Sequence, residues 1–146
     1  KMFKISKTEV KRDILEKELF NPLPGGIVTF EGRVRNHNEG MDVESLEYQC
    51  YQSMAAKEGQ KIIDHALKNF SIINAYCVHR EGHLQIGDIA VWIHISSKHR
   101  REAFLACQYI IDEVKLKVPI WKREHYTKKA PEWVACHRCQ EHHEHK

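Results

Sequence analysis

The sequence predicts a single α+β domain with a mixed or antiparallel sheet, and three observations carry that reading. Its 146 residues suit one compact domain. The chain is 42% hydrophobic and 29% charged, enough for both a core and a solvated surface. Helical and strand patterns follow one another in the order α-β-β-α-β-β-α-β, with no internal repeat and no regular βαβ alternation.

A short apolar piece around Phe3 and Ile5 comes first. Val10, Ile14, Leu15 and Leu19 then recur at helical spacing, with Ser6 or Thr8 placed to cap the helix. Asn21-Pro22-Leu23-Pro24-Gly25-Gly26 ends that helix as a loop. Ile27 to Arg35 is rich in β-branched and aromatic residues and reads as a strand. After the Asn36–Gly40 turn, residues 43–51 alternate as a second strand, expected to pair antiparallel with the first. Ser53 caps a helix to about Phe70, whose apolar stripe is Met54, Ile62, Ile63, Ala66, Leu67 and Phe70. Ile72–His79 and Ile89–Ser96 are two more strands, split by a turn region with Gly82 and Gly87. The last helix opens at Ser96 or Ser97 and runs to about Lys117, with Ala103, Phe104, Cys107, Ile110, Ile111 and Val114 on one face. Pro119 stops it, and Ile120–Tyr126 is a final short strand.

Charge and cysteine usage narrow the function. Twenty-three basic against 20 acidic residues give a net charge of +3, too small an excess to call for nucleic acid. The first residues lack a signal peptide's apolar run, and no stretch approaches a membrane helix, so a soluble cytoplasmic protein without membrane attachment is expected. Five cysteines are an odd number for a disulfide framework, and Cys77 and Cys107 fall in apolar patterns as small buried hydrophobes.

Several residues stand out as chemistry. Arg100 falls about 20° from the centre of the last helix's apolar stripe and in its first turn, where the dipole favours anions. With His99 and the free N–H groups there, it suits an external phosphate or carboxylate; the ordinary alternative is an arginine that reaches past the stripe to solvent or to an internal acid. Lys115 and Lys122 bracket a Pro-Trp corner and could share one concave site as a pair of amines, although most lysines near helix ends are simply solvated. Arg35, at a strand end feeding a turn, is a third anion ligand or an ordinary surface arginine. His79-Arg80 reads as structural. Residues 135–146 are expected to form a flexible Cys/His-rich tail behind a domain of residues 1–134. In it Cys136, Cys139 and His142 are candidate zinc ligands, against a tail that binds metal only adventitiously or not at all.

Several segments together resemble the large, catalytic subunit of molybdopterin synthase. They are Phe30-Glu31-Gly32-Arg33-Val34-Arg35-Asn36-His37-Asn38, Leu46-Glu47-Tyr48, His79-Arg80 and Gly87-Asp88-Ile89-Ala90-Val91. Ser97-Lys98-His99-Arg100-Arg101-Glu102-Ala103-Phe104, Lys115, Val118-Pro119-Ile120-Trp121-Lys122-Arg123-Glu124 and Trp133-Val134 complete the match, in order, over residues 25–134. The resemblance implies an α/β hammerhead fold and a homodimeric core within a heterotetramer. It implies a small ubiquitin-like partner whose C-terminal Gly-Gly thiocarboxylate gives sulfur twice to cyclic pyranopterin monophosphate, building the molybdopterin dithiolene with no required cofactor. Lys115 and Lys122 are then the catalytic lysines, and Arg35, His99 and Arg100 hold the substrate, with the two dimer subunits sharing the site. Glu81, Lys129-Ala130-Pro131-Glu132 and the Cys/His tail depart from the family pattern. A non-catalytic dimeric module that docks a ubiquitin-like tail or a metal is the alternative; retention of both lysines and all three anion ligands favours the enzyme.

Overall fold

A computed structural model describes residues 1–127 and 130–136. The elements are β1 (Met2–Ser6), α1 (Arg12–Glu18), β2 (Gly26–Arg33), β3 (His37–Asn38), β4 (Met41–Cys50) and α2 (Gln52–Asn69). They continue with β5 (Asn74–Arg80), β6 (Gly82–Gln85), β7 (Ile89–Ser97), α3 (Arg100–Lys117), β8 (Ile120–Tyr126) and β9 (Trp133–Ala135). The α+β class expected from the sequence holds.

Two sheets organise the chain. The first has the order β1-β5-β7-β2, with β1 parallel to β5 and the other pairs antiparallel. The second runs β3-β4-β8-β9, and β6 pairs with β4 along Ser45–Tyr48 while β8 pairs with it along Val43–Cys50. β6 and β8 therefore flank β4.

β5 and β7 lie inside the first sheet with both faces covered, so almost every residue in them is buried, as their near-continuous apolar runs require. Cys77, Val91, Ile93 and Ile95 face α2 and α3, whose Ile62, Ile63, Ala66, Ala103, Ala106, Ile110 and Val114 complete the main core. Tyr76, Val78 and Trp92 point to the opposite face, where Val10, Leu15 and Leu19 cover them.

Several expectations are corrected. The strand at residues 26–33 does not pair with β4; its partner is β7. The 36–40 turn instead folds β3 onto the start of β4, with Glu39 at φ 53° and Gly40 at φ 80° as the two central residues of a tight hairpin. The opening apolar piece is a true strand, β1, and helix α1 starts only at Arg12, with Val10 buried ahead of it. Neither Ser53 nor Ser97 caps a helix through its side chain: Tyr51 and His99 hold those positions. Met54 and Phe104 drop out of their stripes, at 56% and 61% exposure. On α3 the buried residues cluster around Ala103, Ala106, Cys107, Ile110 and Val114, and Phe104 stands about 100° from Ala103.

A short strand spans the expected start of the tail. β9 pairs with β8 as Trp121↔Ala135, Lys122↔Val134 and Arg123↔Trp133, and Cys136 is buried in the main core. Cys139 and His142 lie outside the described residues.

Candidate active site

Lys115 sits in the last turn of α3, half-buried. Its ammonium acts on two fully buried groups of β5, His79 and Cys77. His79 is pushed down to about 3, first by burial and then by the Lys115 charge. It is therefore a neutral imidazole. Its Nδ1 lies 2.7 Å from the carbonyl of Arg80, which can only accept, so Nδ1 carries the proton and Nε2 is left as an acceptor. Burial, and next the neighbouring Cys107, raise Cys77, so that it stays a thiol.

Lys122 approaches the same region from the second sheet. It pairs across the strands with Tyr48, and the Tyr48 ring stands edge-on to His79 with centroids 4.8 Å apart at 88°. The run Lys115, His79, Tyr48, Lys122 thus links α3, β5, β4 and β8. The Lys122 side chain is 18% exposed, and its Nζ lies 3.7 Å from Glu124 Oε1. That carboxylate oxygen already accepts from Asn38 Nδ2 at 2.7 Å and from the Tyr126 hydroxyl at 3.2 Å. Glu124 is thus shared, and Lys122 does not hold it alone.

Arg35 lies just past β2. Val34 is buried and bonded on both sides, donating to Asp88 O at 3.0 Å and accepting from Gly87 N at 2.8 Å, while Asn36 O accepts from Val43 N at 2.8 Å. The backbone around Arg35 is pinned where the two sheets meet, and its side chain is exposed. The row His79↔Val91 in β5–β7 and Gly32↔Val91 in β2–β7 places the Lys115 neighbourhood at this same end of β2.

His99 and Arg100 are at the other end. The turn from β7 into α3 reverses the chain, so α3 starts beside Gly26 and finishes toward Arg33. A Cβ on Gly26 would lie 3.2 Å from Arg100 Cα, and Gly25 N donates to Ser97 O at 3.0 Å. The buried Ser97 hydroxyl donates to the His99 carbonyl, and the His99 and Arg100 side chains are exposed. Fifteen helical residues separate Arg100 from Lys115, about 22 Å. Arg100 lies about 60° from Ala103 on the helical wheel, so it is off the buried centre and reaches solvent. The chain brings Arg35, Lys115 and Lys122 to one end and leaves His99 and Arg100 at the other. Sequence reasoning passed over Tyr48 and treated His79 as structural, because only the pairing of β4 with β8 brings Lys122 to Tyr48.

Comparison with known proteins follows the same lines. The MoaE protein family matches residues 5–117. The molybdopterin synthase catalytic subunit of Pyrococcus abyssi is 48% identical over 110 residues, 75% of this chain and 74% of that protein. That of Thermoplasma volcanium is 44% identical over 118 residues, 78% of this chain and 86% of that protein. The crystal structure of molybdopterin synthase from Staphylococcus aureus superimposes with a TM-score of 0.83 at 38% identity, covering 92% of this chain and 97% of that one. With a family match over most of its length and relatives this similar, the chain belongs to the MoaE family of molybdopterin synthase catalytic subunits.

Proposed function

We propose that this protein is a cytoplasmic sulfurtransferase that moves sulfur from the C-terminal thiocarboxylate of a small ubiquitin-like subunit onto cyclic pyranopterin monophosphate. Each transfer forms a carbon–sulfur bond as an oxygen group leaves the pterin side chain. Water then cleaves the acyl–sulfur bond, and the tail departs as a carboxylate. Lys115 lies nearest the tail carbonyl and stabilises the anionic intermediate; Lys122 assists with charge and proton transfer. Arg35, His99 and Arg100 hold the phosphate and pterin. No resident cofactor is needed.

The observation that carries this reading is the convergence of Lys115 and Lys122 on the Tyr48–His79 pair, at the end of β2 where Arg35 emerges. The distance to His99 and Arg100 supports a site shared by two copies. β2 is the terminal strand of its sheet, and Ile27, Phe30 and Phe104 are exposed beside it. Two β2 edges meeting antiparallel about a two-fold axis set the Gly26 end of one against the Arg33 end of the other. That arrangement delivers His99 and Arg100 of one protomer to the partner's Arg35, Lys115 and Lys122.

The test is reconstitution with thiocarboxylated small subunit and cyclic pyranopterin monophosphate, reading dithiolene product. Lys115→Ala is expected to lower turnover by about 100-fold or more while leaving small-subunit binding intact. Mixing Lys115→Ala with Arg100→Ala protein is expected to restore about a quarter of wild-type activity, since half of the dimers then carry one intact composite site. No recovery on mixing, with subunit exchange demonstrated, refutes the shared site; absence of product from the wild type refutes the function.

A further inference from the structure

We propose that the outer face of the second sheet carries a zinc-class metal site formed by Glu47, His83 and His125. The three residues come from β4, β6 and β8, the adjacent strands of one hydrogen-bonded array, and their ligand atoms all lie within 4.8 Å of one another. Glu47 stands directly opposite His83 in β4–β6, and His125, opposite Ser45 in β4–β8, is its diagonal neighbour. Cross-strand and diagonal neighbours on one pleat face are the positions from which side chains converge.

The donor set fixes the class of ion. Two imidazole nitrogens and one carboxylate oxygen suit Zn²⁺, or Co²⁺ and Ni²⁺ of similar preference, whereas Mg²⁺ and Ca²⁺ seek oxygen. Three protein ligands leave a fourth position for water or another donor. Glu47 Oε1 now accepts from His125 Nε2 at 2.7 Å and from Arg123 Nη2 at 2.9 Å. Coordination exchanges the His125 contact for bonds to the ion. Arg123 is held independently, its guanidinium 4.7 Å above the Trp133 ring, so it stays beside Glu47 as an outer partner that orients the carboxylate. His83 is exposed, and its ring centroid lies 5.8 Å from that of His125.

This site is separate from the lysines. Residues 47, 83, 123 and 125 alternate along their strands with 46, 48, 84, 122 and 124, so the ion lies on the face opposite Tyr48 and Lys122. It would clamp β6 and β8 across β4 and brace the sheet that carries Lys122.

Untagged full-length protein, stripped with chelator and titrated with Zn²⁺ by calorimetry, tests the proposal. The expected result is one equivalent per chain that His83→Ala and His125→Ala each weaken by about 100-fold or more, and that Cys139→Ser/His142→Ala retains. His83→Ala keeps the fold because the residue is exposed, and Zn²⁺ should raise the Tm of the wild type but not of this variant. With Co²⁺ the expected spectrum shows ligand-field bands without thiolate charge transfer. Absence of a stoichiometric site, or a site indifferent to both histidine variants and lost in the tail variant, overturns the proposal.

Discussion

Gly25→Ala perturbs the end of the protein proposed to hold the anionic substrate, without touching a charged side chain. A Cβ at this position would lie 2.7 Å from the carbonyl oxygen of Lys98, where ordinary contact begins at 3.4 Å. The loop and the start of α3 must therefore separate by about 0.7 Å. The loop cannot simply retreat, because Gly25 N is bonded to Ser97 O and Gly26 is paired with Ser97. The displacement falls on Lys98-His99-Arg100. If a 1 Å misplacement of a positioning group costs about 100-fold, 0.7 Å costs about 10- to 30-fold. Arg100 and His99 are proposed to bind the precursor alike in ground and transition state, so the loss belongs in KM for cyclic pyranopterin monophosphate, with kcat within about twofold.

The assay is steady-state dithiolene formation with the small subunit saturating. Arg100→Ala, measured in parallel, is expected to raise KM further, by about 100-fold. Urea denaturation should show Gly25→Ala within about 1–2 kcal/mol of wild type, which separates a displaced loop from an unfolded one. A loss confined to kcat, or an Arg100→Ala enzyme with unchanged KM, would refute the assignment of this helix start to the substrate.

Three further outcomes follow from the same structure. His79 is neutral in the fold down to about pH 3, against an ordinary value of 6.5. Below pH 6.5 the unfolded chain takes up a proton that the native state refuses, so its contribution to stability is complete above 6.5 and falls as pH drops; His79→Gln should abolish about 2 kcal/mol of the stability lost between pH 7 and 5, and identical pH profiles by urea denaturation would contradict this. Gly59→Ala puts a Cβ 2.1–2.3 Å from three atoms of the Phe3 ring and should destabilise by about 1–3 kcal/mol in the same measurement, the α2–β1 contact having no room to yield. Ile27→Lys places a charge on the free β2 edge and is expected to raise the dimer dissociation constant at least about tenfold by light scattering, with activity falling in step; an intact dimer would move the two-fold axis elsewhere.

What could be read from the sequence had local causes. The interior strands β5 and β7 announce themselves as near-continuous apolar runs because both of their faces are buried, and helix α3 because its buried face repeats at helical spacing. The pairing of the 26–33 strand with β7 rather than with β4 has no such signature, since it joins residues that stand far apart along the chain, from Arg33↔Ile89 to Gly26↔Ser97. Phe104 and Met54 looked like core because their spacing fits a broad stripe, yet each helix faces the sheet with a narrower one. At the site, Lys115 and Lys122 were legible as a pair around Pro119, while their meeting point was not: Tyr48 and His79 come from strands that only the tertiary fold sets side by side. The separation of Arg100 from Lys115, by contrast, was already contained in the length of α3.

That separation has an electrostatic logic. Gathering Arg35, Arg100, Lys115 and Lys122 around one small cavity within a single chain sets like charges several ångströms apart. At about 6 Å and an effective dielectric near 20, each such pair opposes folding by roughly 3 kcal/mol. Against the 5–15 kcal/mol that holds a typical domain together, a few of these pairs would consume most of the margin. Placing the two arginine-bearing halves at opposite ends of α3 lets each chain fold without that repulsion. On the proposed reading, the full cationic pocket forms only when two β2 edges meet, where the apolar side chains of Ile27, Phe30 and Phe104 supply association energy and the anionic precursor neutralises the charge. Single-chain burial therefore understates the site, and the Arg35 and Arg100 variants should respond alike to dilution: either substitution within an intact dimer removes one contribution, whereas loss of the dimer removes both at once.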